Sequence, residues 1–343
     1  MKRLRRFALV AFSAIAMVVG IGILQAGGWE NFKLQHFALA QIFHDQSQEL
    51  DDLRKQNVNP EEATRIDLEE LMNGGPPKDG IPSIDTPEFD TADTTPFQDD
   101  DIVIGVVING EAKAYPYNIM NWHEIVNDTV GGVNVTVTYC PLCDTIVAFE
   151  RGNTTFGVSG KLYQSCLVMY DRADDTLYAQ PWAMGVVGPK VNQTLERIPA
   201  VKTTLADWLA QHPDSQILST RTGHNRDYTG YPYGTYYTNE EIIFPVRNQE
   251  QREVHPKEIV SYVWQADDQT PLNQFSGSSH VFIHEEVQQA GSQDVEFAGR
   301  TIRGRWDAAL STVVVEELDG TEIPSTTAFA FVYPAYFSEP VAE

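Results

Sequence analysis

Between Ile102 and the stretch ending at residue 213, short runs of β-branched and aromatic residues alternate with Gly, Asn and Asp turns. That period-two pattern predicts strands. Ile102–Ile108, then Asn109-Gly110, then residues 111–115 predict a two-residue hairpin, because Asn-Gly supplies the positive φ such a turn needs. Residues 117–126 predict a short helix carrying Met120, Trp122, His123 and Glu124. After Gly131-Gly132, residues 135–140 lead into Cys140-Pro141-Leu142-Cys143 and residues 145–149 lead out: a strand, a tight turn and a returning strand. Further strands are predicted at 154–159, 166–170 and 176–180, with a brief helix at Leu205–Gln211.

The flanks read differently. Lys2, Arg3, Arg5 and Arg6 precede residues 7–24, a run without a charge that is long enough to cross a bilayer. The expectation is a signal anchor over residues 1–28, basic end in the cytoplasm and body periplasmic or extracellular. Cleavage after Ala26, giving a secreted chain, is the alternative. Residues 29–75 read as a juxtamembrane helical segment, with Phe32, Leu34, Phe37, Leu39, Ile42 and Phe43 spaced for a helix. Asn59-Pro60-Glu61-Glu62 starts a helix that ends at Asn73-Gly74-Gly75. Residues 76–101, rich in Pro, Asp and Thr, read as an extended strap pinned by Ile81, Ile84 and Phe89.

Residues 102–220 form a first β-rich lobe. A connector at 221–252 carries Tyr228, Tyr231, Tyr233, Tyr236 and Tyr237 among Gly and Pro, and 253–343 form a second lobe. Residues 258–264 repeat the character of 101–107, and 206–213 that of 327–334. Strands at 295–305 and 312–317 pair in order with 154–159 and 166–170. The fold expected is mainly β, a β-rich α+β protein of two related lobes from an internal duplication, preceded by the N-terminal transmembrane helix.

Charge narrows the partners. The chain of 343 residues has net charge −24, and without the four basic residues at its start 20 basic face 48 acidic residues. Such a body repels nucleic acid and anionic lipid, so membrane contact is expected only through the N-terminal helix. Protein or small-molecule partners are not indicated. No phosphate loop, nucleophile elbow, zincin helix or c-type haem motif is present. Asn127, Asn134, Asn153 and Asn192 begin Asn-x-Thr sequons. His280 and His284 share a face if they lie on one strand.

The cysteine turn is where chemistry is expected, and three readings stand. A soft transition metal, copper or zinc, would be held by Cys140, Cys143 and His123, with Met169 and Cys166 as further donors. A thiol–disulfide oxidoreductase would use Cys140 and Cys143 as its redox pair. A cell-surface structural or binding module would use them only to staple the turn, leaving Cys166 odd.

Residues 121–128 (Asn-Trp-His-Glu-Ile-Val-Asn-Asp), 138–143 (Thr-Tyr-Cys-Pro-Leu-Cys), 156–163 (Phe-Gly-Val-Ser-Gly-Lys-Leu-Tyr) and 167–172 (Leu-Val-Met-Tyr-Asp-Arg) fall in order, with Gly230-Tyr-Pro-Tyr-Gly234 later. This string resembles the uncharacterised domain-of-unknown-function family thirty-one seventy-nine of bacteria and archaea, from about Gly74 to the C-terminus. The resemblance implies no assigned activity. The chain departs from the family's pattern at Asp144, where a Gly usually follows the second Cys, and at Cys166, where cysteine is not typical.

Overall fold

The computed structural model describes residues 63–251, 254–266 and 277–337, with Arg54, Lys55, Asn59 and Phe275 beside them. The expected anchor at 1–28 and most of the segment 29–75 lie outside the described residues. Local turn chemistry builds the first sheet. Asn109 and Gly110 adopt φ of 50° and 82°, closing a hairpin of Ile102–Ile108 with Glu111–Pro116. Val201–Thr204 adds to one side of it, and Gln216–Leu218 and Phe89–Asp90 to the other.

Helix Tyr117–His123 follows, shorter than predicted because Glu124 turns left-handed (φ 59°) and caps it. The chain then runs through Ile125–Val130, Val133–Cys140 and Thr145–Glu150, an antiparallel meander edged by Glu196–Ile198. A second five-stranded sheet is made of Phe156–Tyr163, Cys166–Asp171, Leu177–Ala179 and Met184–Val187, with Leu71–Asn73 on its edge. That last strand corrects the helix expected to run to Asn73. Leu71 is fully buried and pairs with Tyr163, so contacts ninety positions away in the chain override the local helical signal.

Specific contacts hold the segment before the first hairpin to the sheets. Ile84 is buried and bridges Val126, while Arg172 ties Asp79, Asp85 and Ser83 down from the hairpin of the second sheet.

The second lobe holds two three-stranded sheets. One is Gly277–Ile283, Ile259–Ala266 and Thr326–Phe329; the other is Ser292–Phe297, Arg300–Asp307 and Thr312–Glu317. Its order of elements is that of the first lobe. Ile259–Ala266 and Gly277–Ile283 pair antiparallel, helix His284–Ala290 follows, and a three-stranded meander completes the run. A later strand then returns to the open side of the leading one: Thr326–Phe329 here, Val201–Thr204 in the first lobe. In this order residues 292–317 take the place in their run that 125–150 take in theirs, whereas the sequence pattern set 295–305 against 154–159 and 312–317 against 166–170. The hairpin at 156–171 belongs to a five-stranded sheet that has no counterpart among the described residues of the second lobe.

The lobes are not separate bodies with private interiors. The largest apolar cluster joins Cys140, Cys143, Phe149, Cys166 and Trp182 of the first lobe to Tyr262, Phe329, Phe331 and Tyr336 of the second. Its burial supplies the main force holding the lobes together.

Packing at Gly105 tests this frame. A Cβ there would stand 2.1 Å from the buried Trp208 ring. Gly105→Ala is expected to lower unfolding free energy by about 1–3 kcal/mol in urea titration, with the slope unchanged.

Candidate functional site

The turn is closed from inside. Cys140 and Thr145 are the last opposed pair of the meander, and the Cys143 amide donates to the Cys140 carbonyl at 3.2 Å. The residue after the second cysteine must then reverse the chain, and Asp144 does so in the left-handed region at φ 51°. That geometry explains why glycine suits the position. Asp144 holds it because its side chain is satisfied. Lys202 forms a buried ion pair with its carboxylate, and Tyr139 and Tyr237 donate hydroxyl hydrogen bonds at 3.1 and 3.2 Å. Distant segments claim the neighbouring carbonyls: Tyr236 hydroxyl donates to Leu142 O at 2.7 Å and the Phe329 amide to Cys143 O at 2.8 Å.

All three cysteines are buried and carry free thiols. They come together, with Cys143 beside both Cys140 and Cys166, and Thr145 Oγ1 donates to Cys143 Sγ at 2.9 Å. Burial pushes each thiol pKa up. At Cys140 the Cys143 thiol and then the Glu124 carboxyl push it further the same way. The larger effects come from burial and from uncharged or acidic neighbours, so all three rest as thiols, and hydrogen bonds from the Cys140 thiol and Thr145 favour deprotonation of Cys143.

His123 does not join the thiols. Nδ1 lies 2.7 Å from the Pro82 carbonyl and Nε2 2.7 Å from the Tyr228 hydroxyl. A carbonyl can only accept, so Nδ1 carries the proton and Nε2 accepts from Tyr228. Burial lowers the ring's pKa to about 4, against a smaller raising effect of the Pro82 bond. His123, expected as a ligand beside the thiols, has both nitrogens bonded instead to the strap and the connector. Met169 is fully buried core, and, at an odd spacing from Cys166 along Cys166–Asp171, it points to the other face of the strand. Among the described residues, no group of three or more His, Cys, Asp or Glu is arranged to hold a metal ion.

Other expectations fall away for similar reasons. His284 opens a helix and bonds Ser261 at 2.8 Å, while His280 lies on a strand against Phe282, so the two do not form a strand-face pair. Asn127 is buried, its amide donating to Asp85 and to the Phe156 carbonyl, which leaves no room for a glycan.

The carboxyl that acts on the turn, through the Cys140 thiol, is that of Glu124. Its amide donates to Met120 O, its carbonyl accepts from the Tyr139 amide, and its left-handed φ sends the side chain away from His123. The carboxyl is buried, and burial raises its pKa to about 8 against a weaker lowering by the Tyr233 hydroxyl, 3.4 Å away. No ion pair reaches it from the described residues. It lines a pocket of about 450 Å³ of empty space, mouth included. Ile81, Leu142, Val158, Leu162, Leu167 and Phe244 supply apolar walls, and Lys161 and Tyr233 the other polar groups. Gly160, at φ 76°, lets the strap pass, since a Cβ there would meet Pro76 O at 2.2 Å. His123 and Glu124 are adjacent at a helix end, where successive side chains point apart. They do diverge, and the glutamate is the one aimed at the pocket.

A family profile with the description "Protein of unknown function (DUF3179)" matches residues 78–325. No curated protein and no solved structure matches the chain.

Two measurements probe these buried charges. Lys202→Met strands the Asp144 carboxylate and is expected to cost about 3–5 kcal/mol, with much of that loss recovered in the Asp144→Asn/Lys202→Met double variant. Glu124, with a folded pKa raised to about 8, adds stability that is complete below the ordinary carboxyl range and disappears as pH rises through 8. Glu124→Gln should flatten the pH dependence of unfolding free energy across that window, a difference of roughly 2–5 kcal/mol between its ends.

Proposed function

The chain belongs to the family described as Protein of unknown function (DUF3179), and from that starting point we propose that the pocket beside its Cys-Pro-Leu-Cys turn binds a small, uncharged, mainly apolar molecule. Glu124 is the group that exchanges a proton with it. The observation that carries this reading is a carboxyl that forms no ion pair among the described residues, held by a left-handed backbone in the wall of an apolar pocket. A buried acid titrating near 8 is protonated at neutral pH and donates a hydrogen bond to a carbonyl, ether or hydroxyl oxygen. A pKa near the working pH also suits general acid–base catalysis. Backbone strain and a perturbed acid in one concavity are the features by which functional pockets are recognised.

The soft-metal reading has less support, since His123 is engaged elsewhere and burial keeps the thiols protonated. Two further proposals rest on sequence and element order. The basic start and uncharged run support a body held outside the cytoplasm by residues 1–28, or released there by cleavage. No described helix is long and apolar enough to cross a membrane. The shared order of strands and helices supports an internal duplication in which only the first unit carries cysteines.

Ligand-observed NMR with a panel of small neutral ketones, ethers and alcohols tests the pocket. At least one class is expected to bind at pH 7 and weaken as pH rises through 8. Glu124→Gln should remove that pH dependence, and Leu162→Trp, which fills the cavity, should abolish binding in a folded protein. A panel without binders, or binding that persists in a folded Leu162→Trp variant, rejects the proposal.

A further inference from the structure

Three neighbouring thiols are one more than a turn staple needs. Cys143 is the middle one, next to Cys140 within the turn and next to Cys166 across the packing of the meander on the second five-stranded sheet. Thr145 Oγ1 donates to its sulfur at 2.9 Å, a bond that stabilises negative charge as that sulfur is deprotonated. All three are buried in one apolar cluster, a setting that disfavours a charged or bulky oxidant and points to a small neutral one.

We propose that Cys143 and Cys166 form a two-electron thiol switch, closing a disulfide behind the pocket wall when the protein meets hydrogen peroxide. The balance is simple. One thiol sulfur attacks the peroxide O–O bond, forming an S–O bond and releasing a first water. The second sulfur displaces that oxygen as a second water. Two S–H bonds and one O–O bond are lost, one S–S bond is gained, and the two thiol protons end in the waters.

Cys166 is the partner for a geometric reason. Cys140 and Cys143 are held in one four-residue turn whose amide–carbonyl bond and Asp144 anchor fix the backbone, and such a short bridge is strained. A Cys143–Cys166 bridge joins two sheets instead. Leu142 and Leu167, each next in sequence to one of these sulfurs, both line the pocket, so the bridge ties two of its walls together. This switch is independent of what the pocket binds.

The test uses purified, reduced protein treated with stoichiometric hydrogen peroxide, then alkylated in denaturant and digested with trypsin. Cleavage after Arg151 and Lys161 puts Cys143 and Cys166 on different peptides, whereas Cys140 and Cys143 share one. The expected result is loss of two thiols per chain, a Cys143–Cys166 linked peptide pair, and alkylated Cys140. Cys140→Ser should still form the linked pair. Three alkylated thiols after peroxide, a bridge confined to the Cys140–Cys143 peptide, or oxidation that stops at sulfinic acid would each overturn the proposal. The wild-type peptide map decides the matter even if a variant fails to fold.

Discussion

A carboxylate sealed from water must find a countercharge or keep its proton, and Asp144 finds Lys202. That pair fixes more than a turn. Lys202 arrives on Val201–Thr204, the strand that edges the first hairpin, and Tyr237 arrives from the connector. With Tyr236 on the Leu142 carbonyl and Phe329 on that of Cys143, three remote stretches converge on three consecutive residues. Each satisfies a polar group that the strand ladder leaves open, as buried backbone demands. The arrangement of the thiols follows from this convergence.

Glu124 lies close by and takes the other course. It too is buried and left-handed, but no lysine or arginine reaches it from the described residues, so it stays protonated through neutrality. The two acids divide the neighbourhood. One is paired with a lysine and fixes the turn; the other is neutral and lines an apolar cavity beside a tyrosine hydroxyl. The paired carboxyl contributes rigidity, and the unpaired buried one contributes a titrating group.

Features governed by neighbours in the chain were legible from the sequence. The Asn109-Gly110 hairpin, the strand–turn–strand around Cys140-Pro-Leu-Cys143 and the helix Leu205–Gln211 depend on local φ preferences and period, and they form where the pattern puts them. Features governed by distant pairing were not. Leu71–Asn73 is a strand because Lys161–Tyr163 lies beside it. Which of His123 and Glu124 lines the pocket depends on the handedness of one residue, and glutamate carries no signal for positive φ. Asn127 has the triplet of a glycan acceptor, yet it bonds Asp85 and Phe156, contacts that only the folded chain supplies. Cys166, odd in any count of pairs, finds its place only once two sheets pack.

The bond from the Phe329 amide to the Cys143 carbonyl has a consequence in time. Residue 329 emerges from the ribosome almost two hundred positions after the turn, so the strand that seals the turn is made long after it. Until it docks, nascent sulfur stands uncovered. Folding speed, rather than the finished interior, then decides how much of each batch reaches maturity still reduced.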